Sequence, residues 1–137
     1  MRLFLLLLLG LCGCATVAPT TSELAVRSAT LVGTTTYEEA AVLSPDAVVV
    51  VRLVGVDTHG ESVVLGSYRA LAAGQQVPFE YAIDYSPLAL EHFADVQVVA
   101  EIQNGGRAHW SATNTLPPSL PSRYDLLLEP VRVTNAD

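Results

Sequence analysis

The chain has 137 residues, half of them apolar, with fourteen acidic residues against seven arginines, no lysine and a net charge of −7. An acidic chain without a basic cluster argues against nucleic acid, whose phosphates need Lys and Arg, and against electrostatic docking onto anionic lipid. The length suits one domain with one real core.

Residues 1–14 have the layout of a secretory signal. Arg2 supplies a positive charge, Leu3 to Leu9 form an apolar run, and Gly10-Leu11-Cys12-Gly13-Cys14 follows. The run falls short of the roughly 20 residues that span a bilayer. Leu11-Cys12-Gly13-Cys14 resembles the lipobox of bacterial lipoproteins, with Cys12 departing from the small residue usual at its position. That resemblance implies removal of residues 1–13 and acylation of Cys14. Ala15 after the cysteine, rather than Asp, then implies the outer membrane. The alternative is an ordinary signal peptide cut near Ala15 or Ala18. Two or more acyl chains hold a protein stably on a membrane, at about 0.8 kcal/mol per buried methylene. The expected membrane partner is therefore reached through acylated Cys14, and no second apolar run follows it.

Losing residues 1–13 leaves 124 residues and, with Arg2 gone, a net charge of −8. Both cysteines lie in the first fourteen residues, so the rest of the chain has neither a disulfide nor thiol chemistry. Residues 14–25, rich in Thr, Ala and Pro, read as a tether. Residues 26–137 read as the folded domain.

Within that domain the signals are strand-like and regularly spaced, which predicts an all-β sandwich of about seven mostly antiparallel strands. The first predicted strand, 27–38, contains the Thr-rich Gly33-Thr34-Thr35-Thr36-Tyr37. The second, 47–56, follows the turn Ser44-Pro45-Asp46, and the third, 62–70, follows Asp57-Thr58-His59-Gly60. In the fourth, 77–85, Phe79, Tyr81, Ile83 and Tyr85 alternate with Glu80, Ala82 and Asp84, a period of two. Ser86-Pro87 then predicts one capped helical turn over Leu88 to His92, with Ser86 as the cap.

The fifth predicted strand, 95–103, puts Val96, Val98, Ala100 and Ile102 on one face. Asn104-Gly105-Gly106 predicts a tight hairpin, because Asn and Gly tolerate positive φ. The sixth strand, 107–114, carries Trp110 on an inward face with Ala108 and Ala112, as a core anchor rather than a binding-site aromatic. Pro117, Pro118 and Pro121 make a rigid loop. A seventh strand is expected over 124–133, with Tyr124, Leu126 and Leu128 inward.

The segment Ser44-Pro45-Asp46-Ala47-Val48-Val49-Val50-Val51-Arg52-Leu53 resembles the "PDA-V-x-V-x-L" strand of the YbaY/YscW-type lipoproteins. Gln76-Val77-Pro78-Phe79 through Tyr85-Ser86-Pro87 is similar to that family's next landmark. Val96 to Ile102, Asn104-Gly105-Gly106-Arg107 and Trp110-Ser111-Ala112-Thr113 resemble its "V-x-A-x-I-x-x-GGR-x-x-W-x-T" hairpin. The match spans most of Gly33 to Thr115. It implies a small β-sandwich on a lipid anchor. One branch comprises pilotins, which escort secretin subunits of type III secretion to the outer membrane; other members have no settled task. The chain departs from the family at Val50 and Val54, where polar residues are usual.

Residues able to carry chemistry are scattered. His59, His92 and His109 have no zinc-like spacing, and exposed polar His is the plainer reading. Ser111, His109 and Asp95 could be drawn as a triad, but no Gly-x-Ser-x-Gly elbow exists. Gly105-Gly106 is a turn and not a phosphate loop. Glu38-Glu39 read as a solvated strand end. Asp57, Glu61 and Asp84 lack a calcium-loop ligand run. No catalytic residue, metal ligand or cofactor is therefore expected.

The period of two that points Val49, Val51 and Leu53 inward points Val48, Val50, Arg52 and Val54 outward. The three outward valines Val48, Val50 and Val54 are a candidate partner surface; local cover by the tether or a loop is the plainer account. The reading is a lipid-anchored, non-catalytic interaction or assembly factor at the outer membrane, facing the periplasm, with an envelope protein partner of secretin type. The alternative is a module binding a small envelope ligand between its sheets.

Overall fold

The computed structural model describes residues 28–132. Cys14 and the predicted signal and tether lie outside the described residues. Eight strands and one short helix follow in chain order: β1 (Ala29–Thr36), β2 (Val48–Val56), β3 (Ser62–Leu71), β4 (Phe79–Tyr85), α1 (Pro87–Leu90), β5 (Asp95–Asn104), β6 (Arg107–Thr115), β7 (Leu126–Leu127) and β8 (Glu129–Pro130). They form two sheets, a three-stranded one in the order β4-β1-β7 and a five-stranded one in the order β3-β2-β5-β6-β8. The pairings are antiparallel except β1 with β7, which is parallel. This is the expected all-β sandwich. No described helix is long and apolar enough to cross a membrane.

Alternation builds the core. Phe79, Tyr81 and Ile83 of β4 are buried while Glu80, Ala82 and Asp84 are exposed. Val96, Val98, Ala100 and Ile102 of β5 are buried, as are Val49, Val51 and Leu53 of β2. Leu31 of β1 lies opposite Ile83 and closes the layer from the smaller sheet. These side chains fill the centre of the space between the sheets.

The segment 124–133, expected as one strand, departs from expectation. It splits into β7, which pairs with β1, and β8, which pairs with β6 in the other sheet. The Leu128 N–H donates to the Thr36 carbonyl at 2.7 Å, and the Val131 N–H donates to the His109 carbonyl at 2.8 Å. A single straight strand could satisfy the backbone groups of only one sheet. Crossing at Leu128 serves both. Leu126 and Leu128 still point inward and are buried.

Two turns show how side chains and backbone divide the work. At the β5–β6 hairpin, Gly105 and Gly106 take the positive φ angles, 59° and 78°. Both central positions of this turn type need φ above zero, which glycine adopts without a steric cost. Asn104 ends β5 instead, its Oδ1 accepting from the Ser44 hydroxyl at 2.7 Å. Trp110 is in the core, 9% exposed and stacked on Tyr37 with ring centroids 4.5 Å apart.

Candidate functional site

β1 begins at Ala29, which pairs with Tyr85 at the end of β4. The chain therefore enters the sandwich at the end where β4 leaves for α1. A groove of about 690 Å³ opens there, between two walls far apart in sequence.

The first wall is built from Tyr85 through Val96. Ser86 caps α1, though not in the expected way: its side chain makes no cap bond, and its carbonyl accepts from the Ala89 N–H at 3.1 Å. The turn continues with the Phe93 N–H on the Leu90 carbonyl at 3.2 Å, and the Ala94 N–H then binds the end of β2 at the Val56 carbonyl, 2.9 Å away. This brings the Phe93 ring over Gly55, where an added Cβ would lie 2.5 Å from a ring atom. Glycine at that point is what lets an aromatic ring reach the groove.

The second wall is the loop after β6. The Leu116 N–H donates to the Val96 carbonyl at 2.8 Å and turns Pro117, Pro118 and Leu120 toward the first wall. Proline suits this segment because it has no N–H to leave unpaired.

Among the described residues the lining is mainly apolar, with Glu91 and Asp95 as its only charged members and no His, Cys, Ser, Lys or Arg. It can hold an apolar group beside a positive charge. Its described lining sets no nucleophile beside a base.

The residues singled out in sequence do not meet in this groove. Val48, Val50 and Val54, the candidate partner surface, share the outward face of β2 and differ in exposure. Val50 is only 6% exposed, while Val48 and Val54 are half-buried. Val50 lies between Arg69 of β3 and Glu101 of β5, and Arg52 approaches Glu101 at 3.5 Å. Long charged side chains such as these cover neighbouring apolar surface with their methylene stems. The open apolar surface on this side is at the sheet edge instead, at Val64 and Leu71 of β3.

His59, His92 and His109 are exposed and lie on different elements. Ser111 pairs with Glu101, six positions along β5 from Asp95, so the drawn triad is spread over about 20 Å of strand. Asp57 Oδ1 accepts from the backbone N–H groups of His59 and Glu61 at 2.8 and 2.9 Å, which fixes its own loop. Asp84 accepts from the Thr30 hydroxyl at 2.6 Å. Among the described residues no group of three or more His, Cys, Asp or Glu side chains could hold a metal ion.

The clearest electrostatic perturbation is structural. Burial, with Asp125 and Tyr124 nearby, pushes the Tyr81 phenol up to about 12. Its hydroxyl donates to the Tyr124 carbonyl, tying β4 to the segment that crosses between the sheets.

The groove escaped sequence reasoning because its walls come from two loops. The available signal was apolar residues where no strand needs them: Leu88, Leu90 and Phe93 in one loop, Leu116 and Leu120 in the other.

A family model described as type III secretion system lipoprotein chaperone (YscW) matches residues 26–128. In fold the chain is similar to the solved structure of an alternative pilotin from the type II secretion system of Vibrio cholerae. The TM-score is 0.69, with 21% identity over 78% of this chain and 100% of that one. At that identity the likeness shows the shared sandwich. None of the curated proteins matches the chain.

Proposed function

The chain belongs to the YscW family of type III secretion lipoprotein chaperones, and from that premise we propose that it is a non-catalytic escort for an outer-membrane subunit of a secretion system, of secretin type. The observation that carries this is the span of the family match, which takes in the sandwich from β1 to β7. The proposal includes a lipid anchor at Cys14, supported by the lipobox-like Leu11-Cys12-Gly13-Cys14, and residence on the periplasmic side of the outer membrane. Residues 15–28 separate that anchor from β1. Fully extended, they reach about 50 Å, so the groove would work close to the membrane.

The test uses Cys14→Ser. The wild type is expected in the outer-membrane fraction, with the escorted subunit assembled there as a multimer. Cys14→Ser is expected to leave the membrane fraction and to strand the subunit elsewhere. Unchanged membrane partition of the variant would refute the anchor. Normal assembly of the subunit in cells lacking the chain would refute the escort role.

A further inference from the structure

We propose that the groove at the chain-entry end receives a partner segment that is apolar on one side and carries Lys or Arg beside the apolar residues. This deepens the chaperone reading and rests on it. The two walls present Leu90, Phe93, Leu116 and Leu120 to the groove, and Glu91 and Asp95 stand exposed on the same lining.

Among the described residues, the charge lining the groove has one sign. Asp57 and Glu61 occupy the β2–β3 loop at this end, with the Asp57 carboxylate held in place by its own loop. The arginines of the described residues lie away from the groove lining. Arg52 is paired with Glu101 and Arg123 with Asp125. Arg107 begins β6 at the opposite end, Arg132 follows β8 near that same end, and Arg69 faces outward opposite Val50. Arg27 precedes the described residues.

An apolar segment entering the groove displaces water, and the carboxylates then act in a medium less polar than bulk water. A basic flank is attracted there, and an acidic flank is repelled. A phosphate-bearing ligand meets the same repulsion and finds no Lys or Arg among the described residues of the lining.

The probes are a short synthetic helical peptide of Leu and Lys and its Leu–Glu counterpart. Each is titrated into the lipidated chain in neutral detergent micelles, with empty micelles as the blank, and read by backbone amide NMR shifts. The Leu–Lys peptide is expected to shift residues on both groove walls and the Leu–Glu peptide to shift neither. Glu91→Lys with Asp95→Lys is expected to weaken binding about tenfold, whereas Glu38→Lys with Glu39→Lys, an equal charge change at the other end, costs less than about twofold. Equal weakening by the two double variants, binding of the Leu–Glu peptide, or shifts confined to another surface such as β3 would overturn the proposal. Co-isolation with the escorted subunit separates the two readings. If the Glu91→Lys/Asp95→Lys chain still co-isolates fully, the groove assignment fails and the escort role stands; if the wild type does not co-isolate, the escort role itself fails.

Discussion

Adding one methyl group at Gly33 probes the junction where the 122–126 segment lies across β1. A Cβ built on Gly33 would lie 1.8 Å from the Tyr124 carbonyl oxygen, 2.7 Å from its carbon and 2.8 Å from the Tyr81 hydroxyl. Non-bonded heavy atoms sit comfortably at about 3.5 Å, so the backbone at Tyr124 would have to retreat by more than 1 Å. It is held in place on both sides. The Tyr124 N–H donates to the Val32 carbonyl at 2.8 Å, the Val32 N–H to the Ser122 carbonyl at 3.1 Å, and the Thr34 N–H to Asp125 Oδ1 at 2.9 Å. The retreat would also pull the Tyr124 carbonyl from the Tyr81 hydroxyl. Losing two such bonds costs about 2 kcal/mol, and overpacking adds about 1–3 kcal/mol. Gly33→Ala is therefore expected to lose about 3–5 kcal/mol of a stability near 5–15 kcal/mol. For a domain of this size, that lowers Tm by roughly 15–25 °C, measured by far-UV circular dichroism of the mature chain. A Tm within about 5 °C of wild type would refute the close approach and the rigidity of the crossing segment.

Further outcomes follow from the same packing. The Tyr81 phenol keeps its proton to about 12 in the folded chain against 10.0 in the reference state; the folded form is favoured below pH 10, and this contribution is lost as pH rises toward 12. Tyr81→Phe is therefore expected to flatten the alkaline limb of the stability profile; an unchanged slope between those values would place the titration elsewhere. Trp110→Ala removes the ring stacked on Tyr37 but also an indole N–H without a partner among the described residues. Its cost is expected near the lower end of the usual range, about 3 kcal/mol, and denaturant titration reading under about 1 kcal/mol would contradict core burial. Val50→Glu places a carboxylate at a buried position opposite Glu101 and is expected to cost at least about 2 kcal/mol. Val54→Glu, at a half-buried position, is expected to cost less than about 1 kcal/mol; similar melting of the two variants would show that the stripe is uniformly open.

Where a side chain points along a strand is decided by its immediate neighbours, and that much was legible in the chain itself. The alternation at Phe79, Tyr81 and Ile83, the inward set from Val96 to Ile102, and the glycines of the Gly105-Gly106 turn all follow from local geometry. Leu126 and Leu128 were legible as inward for the same reason. Which sheet each residue around them joins was not. That depends on Thr36 and His109, whose carbonyls claim N–H groups only three residues apart in the chain. The outward valines of β2 follow the same division. Their direction is local, but the cover over Val50 comes from the strands carrying Arg69 and Glu101. The groove is the extreme case. Phe93 reaches it because Gly55 lacks a side chain, and Leu120 reaches it because Leu116 is tied to Val96. A sequence period reports one element against its own axis. A concave site reports distances between elements, and those exist only once long-range backbone pairing has set the two sheets in register.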